Sequence, residues 1–209
     1  MMLENKATVF IEDLSSGKPV PGGGGACAAV GAFAAALGMM VANLTVGKKR
    51  YAEVEAEIRG TMARLEELKN RLIVLTDKDA ECFEPLSRAY GLPRETEEEK
   101  DVRERVLEKA LYEASIVPVE LMGTILETME CLEVLGEKGS RIAVSDAGVG
   151  ILFAQAALEG ASLNVFINTK MMKDRAQARE LNQKADSMIR EGRAYRDRVY
   201  AGVLGKIRT

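Results

Sequence analysis

Between Tyr51 and Tyr90 the chain carries two interleaved columns at a seven-residue spacing, and that pattern is what most restricts the fold. Ile58, Leu65, Leu72, Asp79 and Leu86 form one column, and Thr61, Leu68, Leu75 and Cys82 form the other. Residues seven apart share a helical face, so the segment predicts one helix about 60 Å long at 1.5 Å per residue. Helical periodicity runs through most of the rest, and period-two alternation is almost absent. Helices of this length bury their apolar stripes only against one another. The expected fold is therefore all-α, an antiparallel up-and-down bundle of long helices. No repeat or low-complexity linker divides the 209 residues, which suit one domain spanning 1–209.

Six helices are expected. A short amphipathic one at about Ala7 to Leu14 precedes Ser15 to Gly25, a stretch too rich in glycine and proline to be helical. The second runs from near Gly24 to Val46, closed by Gly47, and the third from Tyr51 to Tyr90, stopped by Gly91-Leu92-Pro93. The fourth covers Glu97 to Glu137, with a kink or break expected near Val117 because Pro118 lacks a backbone donor. A fifth spans Ala147 to Asn164 and a sixth Lys173 to Leu204. Leu163 to Asn168 has strand-like composition but no partner strand, and is read as the end of a buried helix.

Composition closes off several chemistries. The chain contains no histidine, which excludes a Ser-His-Asp triad, a Cys-His pair, a His-based zinc site and a histidine general base. Catalysis must use carboxylates, lysines, tyrosines, hydroxyls, amides or backbone dipoles. A net charge of −3 gives no general attraction to nucleic acid or an anionic membrane. Ala26 to Val46 approaches the length of a membrane span, but Asn43, Thr45 and its small residues favour a buried helix, so no membrane association is expected. Cys27, Cys82 and Cys131 are odd in number and widely spaced, as reduced core cysteines of a cytoplasmic protein would be.

Four features can carry chemistry. Gly22, Gly23, Gly24 and Gly25 lead into a helix, leaving backbone N–H groups unobstructed at its positive end. The alternative use of these glycines is close helix packing. Asp79 falls within an apolar seam, where a carboxylate is costly unless hydrogen-bonded, paired or neutral; it is either a structural ion-pair member or a functional group. Ser145 and Asp146 suit a helix N-cap, which for Asp146 can coincide with a role as base. Asn43, Asn164 and Asn168 are amides able to satisfy backbone groups or bind a polar heterocycle. Lys48 and Lys49, with Arg50, complement a helix C-terminus or grip an anionic tail.

Taken in order, these blocks form a family pattern. Pro19-Val20-Pro21-Gly22-Gly23-Gly24-Gly25-Ala26 leads to Met40 through Tyr51 (MVANLTVGKKRY). Asp79-Ala80-Glu81-Cys82-Phe83 and Ala89-Tyr90-Gly91-Leu92-Pro93 follow, then Ser145 to Gly150 (SDAGVG) and Asn164 to Asn168 (NVFIN). The chain resembles the formiminotetrahydrofolate cyclodeaminase/methenyltetrahydrofolate cyclohydrolase family over essentially its whole length. Ser140 and Cys82 depart from the residues common there. The resemblance implies a helical homodimer with active sites near the subunit interface, and no metal or cofactor beyond the tetrahydrofolate substrate. It also implies that the glycine loop, Asn43, Lys48, Asp79, Asp146, Asn164 and Asn168 serve the site. Ala89 to Lys100 and Gly47 to Tyr51 look most like the bacterial methenyltetrahydrofolate cyclohydrolases, which interconvert 5,10-methenyl- and 10-formyl-tetrahydrofolate. Formiminotetrahydrofolate cyclodeaminase, releasing ammonia, and a non-enzymatic helical scaffold are the alternatives. On the leading expectation Asp79 or Asp146 transfers the proton, the glycine loop stabilises charge on oxygen, Lys48 or Lys49 holds the glutamate carboxylates, and the asparagines read the pterin.

Overall fold

The computed structural model describes residues 1–208. Six α-helices account for most of them: α1 (Ala7–Ser15), α2 (Gly23–Asn43), α3 (Glu55–Tyr90), α4 (Glu97–Lys138), α5 (Val144–Met171) and α6 (Arg175–Ile207). Short 3₁₀ turns occupy Met2–Glu4, Lys49–Tyr51 and Arg141–Ala143, and the described residues contain no strand. The capping chemistry is local. Thr96 and Glu99 form a reciprocal capping box at the start of α4, and the Asp174 carboxylate accepts from Ala176 and Gln177 at the start of α6.

α2, α3, α4 and α5 pack pairwise in a ring, and α6 covers the edge between α4 and α5. The seven-residue columns of α3 supply Ile58, Leu65, Leu72, Leu75 and Leu86 to the core, each almost fully buried. α2 meets them with small residues. A Cβ on Gly31 would sit 3.1 Å from Leu72 Cδ2, and one on Gly38 would sit 2.9 Å from Leu65 Cδ1. Mid-helix glycine lets α2 approach α3 this closely, so the packing use of the small residues holds for the middle of α2. α1 stands apart and buries none of its residues.

The helix boundaries differ from expectation in three instructive places. α4 passes through Pro118 without a break, and Pro118 itself is buried. A proline leaves the carbonyl four residues earlier without its donor. Here that carbonyl belongs to Ala114, and it accepts instead from Asn168 Nδ2 at 3.1 Å. A side chain from α5 thus repairs the α4 ladder. α5 begins three residues early and continues to Met171, because Val165 and Thr169 lie on its buried face and packing outweighs the strand preference of β-branched residues. α3 begins only at Glu55, since Gly47 adopts φ +76° and Lys49–Tyr51 form a tight turn.

Both α2 and the 141–171 segment are long and apolar enough to cross a membrane. In the bundle each turns one face into the core and leaves a stripe uncovered, with Phe33 on α2 and Leu163 and Ile167 on α5 at 52%, 67% and 63% exposure.

Candidate active site

α2 starts late relative to its neighbours. Where it begins, α3, α4 and α5 run on, and a cavity of about 180 Å³ opens beside its first turn. Gly22, Gly23 and Gly24 line it from α2, Asp79, Cys82 and Phe83 from α3, Ala114 and Val117 from α4, and Asn164, Ile167 and Asn168 from α5. Six of the residues singled out from sequence therefore converge, although they come from three helices.

Asp79 and the glycines fit as a unit. The carboxylate lies over the Cα of Gly24, so closely that a Cβ there would overlap it. The backbone N–H of Gly25 favours the charged form of that carboxylate. Asp79 thus answers the positive end of α2, which no side chain of its own N-cap serves. Burial raises the Asp79 pKa above its ordinary 3.8, and the Gly25 hydrogen bond works against that rise. No cation pairs with Asp79 among the described residues, which removes the structural ion-pair alternative. The arrangement places the Asp79 carboxylate against Gly24, so the glycine loop orients this carboxylate, while Gly22 and Gly23 also face the cavity.

The amides are held in one sense. Asn164 Nδ2 donates to the Gly160 carbonyl at 3.3 Å and Asn168 Nδ2 to Ala114. One N–H of each amide is engaged, which turns its side-chain oxygen and its second N–H to the cavity. Phe83, one helical turn beyond Asp79 on α3, adds a partly exposed ring, and Ile167 adds an apolar wall. Neither was singled out from sequence. Phe83 stands four residues after Asp79 and Ile167 lies between the two asparagines, so helical spacing from the polar residues was the available signal.

The other five residues lie elsewhere in the protomer. Asn43 is 19 positions along α2 from Gly24, about 28 Å by helix rise. It is exposed, and its Nδ2 donates to Met39. Lys48 and Lys49 follow it and are exposed. Ser145 and Asp146 lie in the first turn of α5, opposite its Asn164 end. Neither caps the helix. Ala143 is the N-cap, because the buried Ser140 N–H docks on Thr45 Oγ1 at 2.8 Å and the following 3₁₀ turn starts the helix early. Tyr51 joins this second group. Its hydroxyl oxygen accepts the Arg141 N–H at 3.0 Å. That bond leads in lowering its pKa, helped by Ser140 and by the charges of Arg50 and Lys48.

The methenyltetrahydrofolate cyclohydrolase of Methylorubrum extorquens is 41% identical over 198 residues, covering 95% of each chain. The formimidoyltransferase-cyclodeaminase of Sus scrofa is 30% identical over 192 residues, 92% of this chain but 36% of that longer protein. The crystal structure of formiminotetrahydrofolate cyclodeaminase from Thermotoga maritima superposes with a TM-score of 0.89 at 29% identity, covering 99% of this chain and 100% of that one. The sequence profile described as Formiminotransferase-cyclodeaminase matches residues 6–187. This chain belongs to that family.

Proposed function

We propose that the protein is a methenyltetrahydrofolate cyclohydrolase, an enzyme that adds water to 5,10-methenyltetrahydrofolate to give 10-formyltetrahydrofolate and catalyses the reverse. The observation that carries the chemistry is the half-buried Asp79 carboxylate, seated on the amide end of α2 inside a cavity lined also by the Asn164 and Asn168 amides. The choice of reaction rests on the cyclohydrolase relative, which matches end to end at 41%, against 30% for a cyclodeaminase relative.

The substrate carbon lies between N5 and N10 and shares a positive charge with them. Burial makes the ionised form of Asp79 more costly than in water, and a bound cation offsets that cost and holds the carboxylate ready as a base. Asp79 takes one proton from water as the oxygen bonds to the carbon. The protonated Asp79 then delivers that proton to N5 as the carbon–N5 bond breaks. The hydroxyl proton leaves to solvent as the formyl carbonyl forms on N10, so one water enters and one proton is released. Asn164 and Asn168 present oxygens to the N–H groups of the pterin, and Phe83 offers a flat surface to its ring. Tetrahydrofolate is substrate, and the reaction calls for no cofactor.

The same reading includes a cytoplasmic homodimer. The free state of Cys27, Cys82 and Cys131 supports a reducing compartment. The uncovered apolar stripe supports a second copy, with Phe33 and Met40 on α2 and Phe153, Leu163 and Ile167 on α5. A two-fold axis lying in that stripe and crossing the helices sets one protomer's cavity beside the partner's Asn43, Lys48, Lys49, Ser145 and Asp146. Two residue groups separated within one chain then share a site.

Purified protein mixed with 5,10-methenyltetrahydrofolate tests the activity through loss of its near-ultraviolet absorbance. Acceleration over the enzyme-free rate is expected. No acceleration, together with ammonia release from the formimino substrate, would assign cyclodeamination instead. Inactivity on both would leave the scaffold alternative.

A further inference from the structure

Beyond the Asp79 cavity, towards the tip of the bundle, α4 and the end of α5 enclose a second cavity of about 360 Å³. The two adjoin along the α4–α5 groove. Ala114 and Asn168 line the first; Leu111 and Met171, one helical turn further on their helices, line the second. Tyr90, at the end of α3, closes the tip by donating its hydroxyl to Met171 Sδ at 3.2 Å.

The walls differ in charge. The first cavity holds one carboxylate and no cation, whereas the second is lined by Arg94, Lys100, Arg103 and Lys173 against Glu104 and Glu108. Several of these charges are engaged. Lys100 pairs with Glu97, Lys173 pairs with Glu104, and the Glu108 carboxylate accepts the backbone N–H groups of Lys173 and Asp174 at 2.7 and 2.8 Å. The two guanidiniums are not. Arg94 and Arg103 form no ion pair among the described residues, and the buried Arg103 Nε has no acceptor. Arg103 Nη2 reaches only the Tyr90 carbonyl, at 3.4 Å. A guanidinium fork with free donors in a cavity matches a planar carboxylate.

We propose that this second cavity binds the glutamate tail of the folate substrate, with the tail carboxylates on Arg94 and Arg103. The assignment rests on the folate reading above. It gives the tail to the bundle tip of the same protomer, whose own Lys48 and Lys49 lie at the far end and could reach the cavity only from a partner. The spacing suits the ligand. Asn164 to Met171 spans about 10 Å of α5, and Asp79 to Tyr90 spans about 16 Å of α3. The p-aminobenzoyl ring and its amide separate the one-carbon centre from the first glutamate on that scale, and Leu107 and Leu111 supply an apolar wall for the ring. A tail carrying more glutamates would continue past Arg94, which is exposed, into solvent.

Steady-state kinetics with two substrates tests this. One is 5,10-methenyltetrahydrofolate and the other is its methenyltetrahydropteroate analogue, which lacks the glutamate. Arg94→Ala alters an exposed side chain, and Arg103→Gln removes the charge at the half-buried position. Each should raise KM for the glutamate-bearing substrate about tenfold, the scale of one charge-assisted hydrogen bond. Each should leave kcat within twofold and leave KM for the pteroate analogue unchanged. An active enzyme whose KM ignores Arg94→Ala would overturn the tail site and leave the cyclohydrolase reading intact. Equal rises in KM for both substrates would also overturn it. A wild-type protein inactive on both substrates would remove the functional reading and the tail site with it.

Discussion

The two ends of the bundle treat charge in opposite ways. Around the first turn of α2, a single carboxylate is partly withdrawn from water, laid on the helix N-terminus and left without a cation among the described residues. At the other end, Lys48, Lys49 and Arg50 are exposed beside Tyr51, and Asp146 is only partly covered. The first arrangement costs desolvation energy that a structural role does not require. The second resembles an ordinary solvated helix end. On the proposed function, chemistry that depends on a shifted carboxylate therefore falls to the Gly24–Asp79 end. The far end matters on this account only where a second copy brings it to a neighbour's cavity.

Four variants break or sharpen that contrast. Gly24→Ala should act most strongly. Its Cβ occupies the space of the Asp79 carboxylate, so turnover should fall about 10³-fold, near the range for loss of a general base. Helical circular dichroism should persist. Asp146→Asn comes next, with a loss of about 10²-fold expected if the partner's Asp146 serves the cavity. Mixing Asp79→Asn and Asp146→Asn protomers should then restore about a quarter of wild-type activity. Half the dimers are hybrids, and each hybrid carries one intact site. An absence of recovery would separate the two ends functionally.

Asn168→Ala is expected to lower stability by about 1–3 kcal/mol in urea titration, because the Ala114 carbonyl opposite Pro118 then has no donor. Unchanged stability would mean the α4 ladder is repaired in another way. The smallest effect concerns pH. The folded pKa of Asp79 lies above its unfolded value. The stability this group contributes is therefore present at low pH and lost as pH rises through the folded pKa. Asp79→Asn lacks that loss, so its Tm should gain on the wild type as pH rises above the ordinary carboxylate range. A gain that shrinks with rising pH would contradict the assigned direction.

Much of this was legible in residues alone. The heptad columns of α3 placed Asp79 among core positions, and the glycine run marked the start of α2. The uninterrupted α4 was not legible, because the compensation for Pro118 comes from Asn168, 50 positions away on α5. The division of the candidate residues was also hidden. Gly24 and Asn43 already stand at opposite ends of the second helix expected from sequence, but which other candidates join each end depends on how the helices pack. The seating of Asp79 against Gly24 follows from a side-chain placement that no spacing reveals. The tip cavity escaped for the same reason: Arg94 and Arg103 stand in a run dense in glutamate, and folding sorts which charges face inward.

The central claim is that Asp79 moves the proton, and Asp79→Asn tests it most directly. Turnover of 5,10-methenyltetrahydrofolate by wild type and variant should be compared under saturating substrate, with folding checked by circular dichroism. The account predicts a folded variant whose kcat falls about 10²–10⁴-fold, whereas a folded variant with near-normal kcat would contradict it.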